Sequence, residues 1–135
     1  MKVVILGCGR MGSNLARQLV SEGHQVTVID NNRAAFALLG TDFPGRLVNG
    51  NGIDEDVLRN AGLGGADAFI ALTNRDNTNL MAVQVVTHNF KVPRVICRLD
   101  DPAHEEIFAN MGFETLCRTR WEMSQVEETL KIKDR

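Results

Sequence analysis

Apolar residues along this chain alternate between short unbroken runs and stretches with helical spacing. KVVIL, at residues 2–6, has the length and content of a buried strand. From Met11 onward, Leu15 and Leu19 recur four apart with Ala16 and Val20 beside them. That spacing predicts a helix from Gly12 to Glu22 with one apolar face, ended by Gly23. QVTVID (25–30) predicts a second strand, NRAAFALL (32–39) a second helix and GRLVNG (45–50) a short third strand. Asp54 followed by EDVLRNAG predicts a short capped helix, and ADAFIALT (66–73) a fourth strand. Residues 77–89, with Leu80, Met81, Val83, Val85 and Val86, form a further helical pattern. PRVICRL (93–99) predicts strand five, PAHEEIFANMG (102–112) a helix opened by Pro102, and FETL (113–116) a last short strand. In the closing segment, Trp121, Met123, Val126 and Leu130 predict an amphipathic helix.

Such alternation implies an α/β fold, a parallel sheet covered on both faces with right-handed crossovers. The expected architecture is a Rossmann-like, doubly wound sheet of strand order 3-2-1-4-5-6, followed by a C-terminal crossover helix. One domain, 1–135, is expected, with a core over 1–117 and the terminal helix over 118–135. In that order strands 1 and 4 are neighbours whose connections leave in opposite directions, so a crevice opens at their C-terminal ends.

Composition narrows the function classes. With 135 residues, 44% hydrophobic and 24% charged, the chain is one ordinary globular domain, with no room for a separate catalytic domain. A formal net charge of -2 argues against nucleic acid as a partner. No apolar run approaches the roughly 20 residues that cross a bilayer, and MKVVIL does not read as a signal peptide, so a cytoplasmic location is expected. Three widely spaced cysteines, Cys8, Cys97 and Cys117, are expected to be reduced thiols. His24, His88 and His104 are scattered without metal-ligand spacing, so no metal site is expected. His24 falls at a helix end and His104 on a surface helix.

Gly7, Gly9 and Gly12 form G-x-G-x-x-G directly after a strand and at the entry to a helix. The first glycine permits a tight turn, the second admits a pyrophosphate close to the backbone, and the third allows close helix–sheet packing. Free N–H groups at the helix N-terminus then favour a phosphate. Asp30 ends strand two, 23 positions after Gly7, where a carboxylate accepts from ribose hydroxyls and repels a 2′-phosphate. Arg33 nearby would soften that discrimination, and the alternative for Asp30 is a cap on the following helix. Asn51, Thr73, Asp76, Asn79, Arg98 and Arg10 also fall at the ligand-binding edge, flanked by Asn31, Gly52 and Asn74. Arg10 and Arg98 are cations beside the expected phosphates, or else surface charges paired with carboxylates. Cys8, between two loop glycines, is either a small filler or a thiolate stabilised by the helix terminus. The glycine loop lacks the G-K-[ST] ending that holds a magnesium triphosphate.

Three segments, VVILGCGRMGSNLARQLVSEGHQVTVIDNN, VNGNGIDEDVLRNAGLGGADAFIALTNRDNTNLMAVQ and VICRLDDPAHEEIFANMGFETL, resemble the TrkA N-terminal domain of potassium transporters and channels, also called the KTN or RCK N-lobe. The resemblance runs from Met1 to about Leu130. It implies that Gly7, Gly9, Arg10, Met11 and Gly12 cradle phosphates, that Asp30 holds the adenosine ribose and that Asn51 lies beside the adenine. Thr73, Asp76 and Asn79 match the family's Thr-x-x-Asp-x-x-Asn block at the cleft, and Arg98 would reach the phosphates or a dimer partner. Gly50, Asn51, Gly52 and Ile53 stand where the family usually has Gly-Asp-Ala-Thr, so the adenine end would be read by an amide that donates as well as accepts.

The resemblance implies a non-catalytic, cytoplasmic regulatory subunit that senses NAD(H) or an adenine nucleotide (ATP, ADP or AMP). Homodimers would assemble into a ring at the inner face of the membrane, beneath a potassium pore-forming subunit. A second regulatory subunit carrying a C-terminal lobe would be a further partner. In this picture Trp121, Met123, Val126 and Leu130 form the face that crosses to a neighbouring subunit; the alternative is that they pack on their own domain. The competing function is an NAD-dependent oxidoreductase or a fragment of one, and a nucleotide-binding module serving another partner stays open. No Lys, His or Tyr is placed near a nicotinamide to support the enzyme.

Overall fold

The computed structural model describes residues 1–130. Six parallel strands form one sheet in the order β3-β2-β1-β4-β5-β6, the order expected from the alternation. They are β1 (Lys2–Leu6), β2 (Gln25–Asp30), β3 (Arg46–Asn49), β4 (Ala68–Ala71), β5 (Arg94–Leu99) and β6 (Glu114–Cys117). The helices are α1 (Arg10–Ser21), α2 (Glu55–Asn60), α3 (Asp76–Asn89), α4 (Pro102–Phe108) and α5 (Arg118–Leu130). The part of the predicted terminal helix beyond 130 lies outside the described residues.

β1 shows why the sheet needs cover on both sides. Val4 and Leu6 join Ile29, Phe69, Leu80, Val83 and Val86 in one core cluster, whereas Val3 and Ile5 join Val26, Val28, Ala16 and Leu72 in another. Alternate residues of one buried strand thus feed two cores, as the period of a strand requires. Its register, Leu6 opposite Ile29 on one side and Ala71 on the other, brings Gly7, Asp30 and Leu72 to the same edge.

Several boundaries differ from the sequence expectation for local reasons. α1 begins at Arg10, with Gly9 as its N-cap, so all of the Arg10–Gly12 segment is helical. The second helix is a 3-10 helix over Arg33–Leu39, capped by the Asn32 side chain rather than by Asp30. β4 is shorter than predicted, and Leu72 and Thr73 leave the strand at the cleft. α5 starts directly after β6 and buries none of its residues.

Candidate functional site

Two of the three loop glycines, Gly7 and Gly12, are required by sterics within the protein. Gly7 adopts φ +107°, and a side chain there would press on the Leu72 and Thr73 backbone at 2.9 Å. A Cβ on Gly12 would lie 1.9 Å from the Gly7 carbonyl oxygen, so α1 packs against the loop with no room for a methyl group. Gly9 is different, because a Cβ there meets no protein atom within 4 Å. Its missing side chain leaves space on the open side, where the α1 N-terminus presents unsatisfied N–H groups.

Asp30 closes one side of this loop. Its Oδ2 accepts from the Cys8 amide and its Oδ1 from the Asn32 amide, both at 2.8 Å. Two backbone donors fix the carboxylate at the edge of the cleft, and each oxygen keeps a lone pair for a further donor. Cys8 is fully buried, and burial followed by the Asp30 charge pushes its thiol up to about 11. It is a filler that donates weakly to the Ala35 carbonyl, not a thiolate. Asn51 accepts from the Ile53 amide at 3.1 Å, which leaves its amide nitrogen for a ligand.

The cleft has a volume of about 1180 Å³ and runs from Asp30 and Asn51, across the glycine loop, to Arg98 and Trp121. Of the residues expected at the site, Gly7, Gly9, Arg10, Met11, Asp30, Asn31, Asn51, Gly52, Thr73, Asn74 and Arg98 line it. Gly12, Arg33, Asp76 and Asn79 do not, and each has a structural reason. Gly12 is buried under the loop, and Arg33 is exposed at the start of the 3-10 helix.

Asn79 is 1% exposed and spends its whole hydrogen-bonding capacity on the protein. Its Oδ1 accepts from the Thr73 amide at 3.0 Å and the Thr73 hydroxyl at 2.6 Å, while Nδ2 donates to the Thr73 and Arg98 carbonyls. Asp76 turns toward the β5–α4 connection, accepting from the Asp100 amide at 2.8 Å and the Asp101 amide at 3.0 Å. His104 Nδ1 lies 2.8 Å from Asp76 Oδ2, so this histidine holds α4 to α3 rather than facing solvent alone. Burial raises the Asp76 pKa, but the amides of Asp100 and Asp101 and the His104 contact outweigh it, and the net shift is downward. Both side chains position the cleft and do not face it.

Arg98 is 9% exposed and reaches the cleft from β5. Its Nε stands 3.6 Å from Asp100 Oδ1, an ion pair in which neither of these shielded atoms makes a hydrogen bond among the described residues. Sequence reasoning did not place Thr78, Arg118, Trp121 or Glu122 at the cleft, yet all four line it. Three of them sit on α5, and helical geometry explains why. At about 100° per residue, Arg118, Trp121 and Glu122 fall within about 100° of one another, and Trp121 stands roughly 140–180° around the helix from Met123, Val126 and Leu130. The four apolar residues of α5 are therefore not one stripe. His24 faces the N-terminal amine, with 2.9 Å between that nitrogen and Nδ1. Among the described residues no group of acidic, His or Cys side chains could hold a metal ion, and no helix is long and apolar enough to cross a membrane.

The TrkA-N domain family matches residues 3–119. Trk system potassium uptake protein TrkA of Streptomyces coelicolor is 43% identical over 126 residues, covering 93% of this chain and 56% of the relative. The chain spans about half the length of this relative and of the TrkA homolog of Methanothermobacter thermautotrophicus. Among solved structures, the TrkA-N domain of inner membrane protein ybaL from Escherichia coli superposes with a TM-score of 0.86 at 21% identity, over 96% of each chain. The GsuK channel, in one structure bound to NAD and in another bound to ADP, gives a TM-score of 0.73 at 23% identity. These matches cover 85% and 86% of this chain, and 21% and 31% of the channel chains. The structural likenesses show the fold.

Proposed function

Because the chain belongs to the TrkA-N domain family, we propose that it is the nucleotide-sensing, non-catalytic part of a regulatory subunit for a potassium uptake system. The observation that carries this reading is the Asp30 carboxylate, fixed by two backbone amides beside a glycine loop whose Gly9 leaves open space at a helix N-terminus. A phosphate on the α1 N-terminus and a ribose on Asp30 together describe a nucleotide. The relative's name supports the potassium uptake role, and GsuK structures holding NAD and ADP support the ligand class. NAD(H) or an adenine nucleotide (ATP, ADP or AMP) is the proposed ligand.

Regulation by such a ligand requires that it prefer one conformation of an assembly, since equal affinity for two states shifts neither. The assembly proposed is a homodimer, built into a ring at the inner face of the membrane and joined to a pore-forming subunit. A second regulatory subunit with a C-terminal lobe is a further proposed partner. Residues 1–117 would form the nucleotide core, and α5 would offer Met123, Val126 and Leu130, all more than half exposed, to a neighbouring subunit. Thermal melts with NAD, NADH, NADPH, ATP, ADP and AMP, paired with a nicotinamide turnover assay, test the reading. A shift without turnover is expected, and no shift with any of them would overturn it.

A further inference from the structure

The half of the cleft beyond the glycine loop contains an aromatic that the residues expected at the site leave unexplained. Trp121, the single tryptophan of the chain, lines this half, while Asp30 and Asn51 line the other. It is 59% exposed and stands on the side of α5 away from Met123, Val126 and Leu130. The apolar face available to a neighbouring subunit therefore does not account for it. A large flat ring left open in a cleft gains most from another flat ring laid on it.

Cleft size points the same way. About 1180 Å³ exceeds the roughly 300–1,000 Å³ of ordinary small-ligand pockets. A mononucleotide seated on Asp30 and the glycine loop leaves the Trp121 half empty. In a doubly wound sheet the crevice between strands 1 and 4 is bridged by a dinucleotide whose pyrophosphate sits at the helix N-terminus. Asn74 and Thr78 also line the cleft and follow β4, on the same side of β1 as Trp121, supplying an amide and a hydroxyl that suit a second ribose or a carboxamide. Arg98 adds a cation for the phosphates between the two nucleosides.

We propose that Trp121 is the stacking platform for the second base of a dinucleotide, which makes it the residue that selects NAD(H) over mononucleotides in this chain. The assignment rests on the nucleotide-sensing reading above. Stacking on an indole tolerates either redox state of the base, so selection acts on the presence of a second base, not on its oxidation.

The test is calorimetric titration of the full chain with NADH and with AMP, in the wild type, Trp121→Ala and Trp121→Phe. Loss of one base–aromatic stack is expected to weaken NADH about tenfold in Trp121→Ala, to leave AMP within about twofold, and to be largely rescued by Trp121→Phe. Exciting the single tryptophan should also sensitise nicotinamide emission in the wild type. Equal loss for both ligands, or no loss for either, overturns the assignment of Trp121 while the sensing reading stands. Failure of the wild type to bind either ligand overturns both. Because the side chain is exposed, unchanged melting of the unliganded variants is the expected control.

Discussion

The carboxamide nitrogen of Asn79 donates to the main-chain carbonyl of Arg98 at 2.9 Å, tying the first turn of α3 to the end of β5. The same side chain makes three more bonds to Thr73, at the end of β4. One buried amide thus seals the two strand ends that form the far wall of the cleft.

Replacing it should therefore cost stability first. Asn79→Ala leaves the buried Arg98 carbonyl and the Thr73 backbone without partners and is expected to destabilise the chain by about 3 kcal/mol. Asn79→Asp keeps the shape but loses both donors and buries a charge, so it should be at least as damaging at neutral pH. Urea unfolding gives both numbers; a loss below about 1 kcal/mol would show that the network is not what holds these strand ends.

The glycine loop separates fold from binding. Gly12→Ala puts a methyl group 1.9 Å from the Gly7 oxygen, and should lower the melting midpoint by several degrees. Gly9→Ala meets no protein atom, so its stability should stay within about 0.5 kcal/mol while nucleotide affinity falls about tenfold or more. Melting curves with and without NADH distinguish the two variants.

Asp30→Asn should weaken NADH about tenfold and narrow the gap between NADH and NADPH, because the repulsion of a 2′-phosphate is removed along with a charged acceptor. Competitive titration of the two dinucleotides measures the ratio. An unchanged ratio would mean that Asp30 serves only the Cys8 and Asn32 amides.

Acid should act through Asp76. Its folded pKa lies below the ordinary carboxylate value, so its contribution is complete above the unfolded pKa of about 4 and is lost as pH falls through the folded one. Asp76→Asn is expected to flatten the stability–pH curve below about pH 4, and His104→Ala to move the acid limb to higher pH. Denaturation midpoints across that range give the slopes.

A chain ending at Thr119 lacks most of α5. If the exposed face of Met123, Val126 and Leu130 joins subunits, sedimentation of this shortened chain should give a monomer where the full chain gives a dimer. An unchanged oligomer would place the contact elsewhere.

The glycine loop was legible because its chemistry lies between neighbours in sequence, and the strand order and the place of Asp30 because a regular strand–helix alternation admits few arrangements of a parallel sheet. A strand, a turn and a helix start at Gly7–Gly12 are local chemistry, and the apolar runs fix the rest of the sheet. The roles of Asp76 and Asn79 were not legible, since their partners Asp100, Asp101 and Arg98 stand about twenty or more residues away on β5 and the connection after it. In sequence, a polar block at a strand end reads the same whether it faces a ligand or braces the wall behind it. Trp121 was misplaced for a simpler reason: grouping it with Met123 ignored the helical angle between them, which the sequence itself contains.

The uneven anchoring of the two cleft walls has a kinetic meaning. β4 and β5 are locked through a fully satisfied buried amide, whereas α5 buries none of its side chains. Amide hydrogens behind Thr73 and Arg98 should then exchange with solvent only through rare global opening, and those of α5 in a single chain through frequent local fraying. Within one molecule, the seat of the ligand is slow and the wall carrying Trp121 is fast.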